Sequence, residues 1–147
     1  MVVPGLHLFE YRSIDNLGNP EAAASADIYL DLNPPTTTVG VGSPKYGAAP
    51  IYISPTTAIN LAASDADTPV TSTWYRVDGG SWQQYSGPFT VAVPGFHVIG
   101  FNSTDSVGNA EPVGHLSLFV DVNKPEYVEQ YAAMARGLLG AYASGRG

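Results

Sequence analysis

Val93-Pro94-Gly95-Phe96-His97-Val98-Ile99-Gly100-Phe101-Asn102-Ser103-Thr104-Asp105-Ser106-Val107-Gly108-Asn109-Ala110-Glu111 occurs twice in this chain, in two divergent copies. Residues 3–35 align with residues 93–125 at a constant offset of 90, without a gap. Val3-Pro4-Gly5 matches Val93-Pro94-Gly95, and His7 matches His97. Ser13 and Asp15 match Ser103 and Asp105, Gly18-Asn19 matches Gly108-Asn109, and Glu21 matches Glu111. Asp31, Asn33 and Pro35 match Asp121, Asn123 and Pro125. A period of this size is that of one sandwich domain. The repeat divides the chain into residues 1–33 as the C-terminal part of a first repeat, a Pro34-Pro35 linker, a complete repeat over 36–123, and a distinct segment over 124–147.

Working outward, the complete repeat reads as short strands separated by turns. Thr36 to Val41, Ile51 to Ile53, Ala58 to Ala63, Ser72 to Val77, Trp82 to Tyr85, Pro88 to Val91, Gly95 to Asp105 and Leu116 to Val122 are the expected strands. In the longest, His97, Ile99, Phe101 and Ser103 share the core-facing side. Asp78-Gly79-Gly80 is a tight hairpin turn, and Asp105 to Asn109 a turn whose aspartate accepts backbone N–H groups ahead of it. The expected fold is all-β: immunoglobulin-like antiparallel β-sandwich repeats, with a short C-terminal helix.

The blocks Thr73-Trp74-Tyr75-Arg76-Val77-Asp78-Gly79-Gly80, Trp82 to Phe89, Gly95-Phe96-His97, Ser103 to Glu111 and the Asp121 to Pro125 linker resemble one family. It is the bacterial and archaeal Ig-like repeat of surface proteins, of the OmpL47 β-barrel-type and Big-like modules. The resemblance covers residues 36–125, and 3–35 again. It implies the sandwich fold and an extracellular or cell-surface setting, but no particular function. Asn123-Lys124-Pro125 departs from the family's usual two-proline linker.

Composition agrees with many strands and few helices. Charged residues make up 13%, against the roughly 25% usual in soluble domains. With a net charge of −7 and only six Lys and Arg, a phosphate-binding surface is excluded, and with it nucleic acid. There is no cysteine, so thiolate metal sites and disulfides are excluded. No apolar run is long enough to span a bilayer, and the N-terminus has no signal-peptide pattern, so a signal or anchor is expected outside this chain.

No nucleophile elbow, metalloprotease helix or phosphate loop occurs, and the expectation is no enzyme. The recurrence of His7 and His97 points to an architectural role. The acidic turns are the candidate cation sites. Asp105, Asn109 and Glu111, repeated as Asp15, Asn19 and Glu21, offer hard oxygens suited to calcium. The alternative is that the aspartate only caps its turn and the glutamate starts the next strand. Asp65 and Asp67 form a second acidic turn. Trp74, Trp82 and Tyr85, beside Tyr75, are candidate glycan-binding aromatics, with one tryptophan expected in the core. No other cofactor is expected.

Val128, Tyr131, Ala132, Ala135, Leu138 and Tyr142 recur at helical spacing, so a helix over 126–142 is expected, weakened by Gly137 and Gly140, with a flexible tail after it. It would dock on the sandwich or on another chain. The expected function is a non-catalytic structural or interaction module: spacer, adhesion, or filament and envelope assembly. The alternative is an accessory substrate-holding domain of a secreted hydrolase. Expected partners are other repeats or copies of the same protein, with strand exchange completing the half repeat, or surface polysaccharide.

Overall fold

The computed structural model describes residues 3–123 and 134–140. Within 36–123 the alternating strands build two facing sheets. The smaller pairs β3 (Thr36–Val41) with β6 (Ile59–Ser64), antiparallel. Phe89 adds to it through reciprocal backbone bonds with Ile59 at 2.8 and 3.1 Å. The larger sheet runs in the order β4 (Lys45–Tyr46), β5 (Ile51–Ile53), β10 (Gly114–Val120), β9 (Gly95–Asp105), β7 (Val70–Val77), β8 (Gln83–Gln84). Its neighbours are antiparallel except β5 and β10, which are parallel. The first segment of the repeat therefore contributes β3 to one sheet and β5 to the other.

Alternation along each strand decides what the sheets bury. Ile59 of β6, Ile99 of β9 and Leu118 of β10 are wholly buried, with Ile53, Val91 and Val120 beside them. Val39 and Val41 pack on this cluster from β3. A layer of hydroxyls lies toward one end. Ser103, also wholly buried, meets Thr37 Oγ1 at 2.6 Å and Thr73 Oγ1 at 2.8 Å, joining β9 to both sheets.

Two expectations need correction. Neither tryptophan enters the core: Trp74 and Trp82 are each 36% exposed. Tyr75, one residue further along β7, faces inward and stacks on Phe89 at 3.9 Å between ring centroids. The Pro88 to Val91 strand reduces to a bridge at Phe89, since Pro88 has no N–H to donate. The expected C-terminal helix is present as α1, described over 134–140, where it is exposed and contains both Gly137 and Gly140. Val128, Tyr131, Ala132 and Tyr142 lie outside the described residues.

The first copy of the repeated stretch forms a hairpin of β1 (Gly5–Tyr11) and β2 (Ala24–Leu30). Its register is that of β9 and β10 shifted by 90 at all seven pairs, from Gly5 opposite Leu30 (Gly95 opposite Val120) to Tyr11 opposite Ala24 (Phe101 opposite Gly114). What differs is cover. Phe9 and Ile28 are 55% and 52% exposed, where Ile99 and Leu118 are at 0%.

Candidate functional site

The repeat junction gathers most of the acidic residues that the turns supply. Asp31 follows β2 and is buried; its Oδ1 accepts the Asn33 N–H at 2.8 Å. Its Oδ2 accepts the Thr68 hydroxyl at 2.5 Å. Asp65, in the β6–β7 loop, turns that loop by accepting the N–H groups of Asp67 and Thr68 at 2.8 and 3.1 Å. Asp67 reaches the other way and accepts the Tyr29 hydroxyl at 2.7 Å and Asn33 Nδ2 at 2.8 Å. These two bonds hold the Asp67 carboxyl below its ordinary value, and the first raises the Tyr29 hydroxyl.

Asp105 arrives from the end of β9 and is 2% exposed. Its Oδ1 accepts the N–H groups of Val107, Gly108 and Asn109 at 2.9, 2.7 and 2.8 Å, and its Oδ2 accepts Asn109 Nδ2 at 2.7 Å. Gly108 takes φ +97°, which a side chain would resist. Burial pushes the Asp105 carboxyl up, and the bonds from Asn109, Val107 and Gly108 together outweigh it, leaving it lowered. Asn109 also donates to the Asp31 carbonyl at 3.3 Å, tying the linker to the sandwich.

Asp15 and Asn19 repeat this turn in the first hairpin, at 2.8 Å to Leu17 N and 2.9 Å to both Asn19 nitrogens, but exposed and with the Gly18 N–H donating to the Asp15 carbonyl instead. The glutamates part company with their turns. Glu111 accepts the Thr37 N–H at 3.0 Å and bonds the Thr37 hydroxyl, so it joins β3 rather than Asp105. Glu21 accepts the Ser13 N–H at 2.7 Å. Asp31 was legible as a repeated linker residue but not as a site residue. Its signal was Asp31-x-Asn33 recurring as Asp121-x-Asn123, with the same bond at 2.8 Å.

The aromatic candidates lie elsewhere, on the outer face of the large sheet. Trp74 and Trp82 line a shallow depression with Asn102, Thr104 and Val113. The Arg76 guanidinium covers one face of Trp82 at 4.5 Å. Tyr85 is apart from them, edge-on to Tyr75 and Phe89. His97 is buried, and its ring bonds the Val93 carbonyl and Asp78. His7 repeats the first bond, to the Val3 carbonyl at 2.6 Å.

The chain matches no protein-family model and no curated protein sequence. Among solved structures it is similar to the fibronectin(III)-like modules of Clostridium thermocellum CbhA, at 22% identity and a TM-score of 0.40. That match covers 57% of this chain and 97% of the module's chain. No described helix is long and apolar enough to cross a membrane.

Proposed function

We propose that this chain is a non-catalytic spacer or interaction module of a secreted or cell-surface protein, in which successive sandwich repeats are held at a fixed junction. The observation that carries the reading is the junction itself. Tyr29 and Asn33 from the first copy bond Asp67 of the second, and Asn109 bonds the Asp31 carbonyl. Pro34-Pro35 stiffens the same linker. The sequence likeness to bacterial and archaeal Ig-like surface modules supports the same reading.

Because the chain has no cysteine, spin labels can be placed at will. Leu17 and Tyr46 are 88% and 80% exposed, one on each repeat. Labels at Leu17→Cys and Tyr46→Cys are expected to give one narrow distance distribution. A broad one removes the fixed-junction spacer.

The Trp74 and Trp82 depression favours a second reading, a surface that holds polysaccharide for an attached hydrolase. Aromatic faces beside Asn102 and Thr104 offer the stacking and hydrogen bonds that sugars use. Retardation of the protein in polysaccharide-containing gels, lost in Trp74→Ala, supports it; no retardation on any glucan, xylan or mannan removes it.

A further inference from the structure

We infer that Asp31, Asp65 and Asp105 form a calcium site at the repeat junction. Three separate segments deliver them: the linker after β2, the β6–β7 loop and the end of β9. One carboxylate oxygen from each lies within 4.8 Å of the others. Two oxygens held by one calcium ion at about 2.4 Å are at most about 4.8 Å apart, so the spacing admits a shared ion.

A second observation points to a ligand. Asp65 Oδ2 is fully buried and, among the described residues, is the single buried side-chain polar atom with no hydrogen-bond partner. Buried polar atoms in native proteins are paired, and an orphaned one marks a missing water or ion. Nor is the charge offset from within. The one ion pair among the described residues is His97 with Asp78, so no cationic side chain of the described residues neutralises the three carboxylates. Like charges this close disfavour one another unless a cation or proton intervenes.

The chemistry of the donors selects the ion. All are hard oxygens, with no imidazole or thiolate among them, which suits calcium over zinc or copper. Backbone and side-chain donors already orient each carboxylate: Asn33 and Thr68 on Asp31, Asp67 and Thr68 on Asp65, Val107 to Asn109 on Asp105. Water molecules would supply the remaining oxygens of the six to eight that calcium takes. The site needs both sides of a junction. Asp15, the equivalent of Asp105, has the same turn without the other two carboxylates, and so serves as a built-in control. The inference does not depend on the spacer reading, since ion binding is measured directly.

The test is calcium titration into the chelator-stripped chain by calorimetry, with melting in calcium and in EDTA. The expected result is a single saturable site and a higher midpoint in calcium. Asp65→Asn is near-isosteric and is expected to weaken binding at least about tenfold, while Asp15→Asn leaves it unchanged. Absence of calcium heat with identical midpoints in the unsubstituted chain overturns the site. Equal loss in Asp15→Asn and Asp65→Asn also overturns it. An equal response to magnesium overturns the assignment to calcium.

Discussion

Asp78 Oδ2 lies 2.6 Å from His97 Nδ1 while His97 Nε2 lies 2.8 Å from the Val93 carbonyl, so both ring nitrogens face acceptors. Only the imidazolium donates from both positions. The Asp78 bond, opposed by burial and aided by the Val93 carbonyl, raises His97 above its ordinary 6.5. The Val98 N–H, opposed by burial and joined by His97, holds Asp78 below 3.8. The His97 contribution is thus complete below pH 6.5 and is lost as pH rises through the raised folded value. That of Asp78 is complete above 3.8 and is lost as pH falls through the lowered one. The thermal midpoint is expected to decline from pH 6.5 upward. Asp78→Asn, tolerated at φ 51°, should flatten that decline. An unchanged alkaline slope in the variant would contradict the pairing.

The two copies of the hairpin allow a matched test of burial. Ile99→Ala empties a site at 0% exposure and is expected to cost about 2–5 kcal/mol in urea unfolding. Phe9→Ala, at the equivalent position and 55% exposed, is expected to cost less than about 1 kcal/mol despite removing a larger side chain. Equal losses would mean that the open face of β1 and β2 is covered in solution, and by something other than the described residues.

Gly114 sits against the ring of Phe101, and a Cβ there would run into that ring. Its counterpart is Ala24, tolerated because Tyr11 is 52% exposed and free to move aside. Gly114→Ala is therefore expected to destabilise the sandwich by about 1–3 kcal/mol. A rise in the denaturation midpoint would show that Phe101 has room to shift.

Glu111 fastens β3 to the turn after β9 through the Thr37 N–H and hydroxyl. Glu111→Ala is expected to cost about 1–3 kcal/mol by leaving the Thr37 N–H and hydroxyl without this acceptor. Its calcium titration should match that of the unsubstituted chain, because Glu111 stands outside the three-aspartate cluster. Weakened calcium binding in this variant would place Glu111 in the ion's shell.

Much of the sandwich could be read from local pattern. Alternation located β3, β5, β9 and most of β6, β7 and β10, and Asp-x-x-Gly-Asn announced a turn whose aspartate gathers backbone amides. What escaped was set by tertiary packing. The choice between Trp74 and Tyr75 for the interior depends on which face of β7 meets the small sheet, and alternation places them on opposite faces without saying which. Two-residue strands such as β4 carry no period. Asp31, Asp65 and Asp105 are 34 and 40 residues apart in sequence, and only the strand order brings them together. Glu111 was grouped with Asp105 by spacing, yet it lies ahead of β10 and bonds Thr37 instead.

The hairpin of β1 and β2 keeps the register of β9 and β10 with its inner face uncovered by the described residues, which bears on the order of folding. Its shape is written in short-range contacts, and such contacts form early because little chain entropy is lost in closing them. The second hairpin, identical in register, is then the natural template on which β3, β5, β6 and β7 assemble. Substitutions in the Asp105 to Asn109 turn should slow refolding, whereas those in β3 should chiefly speed unfolding. Each repeat would then mature from its last two strands backward.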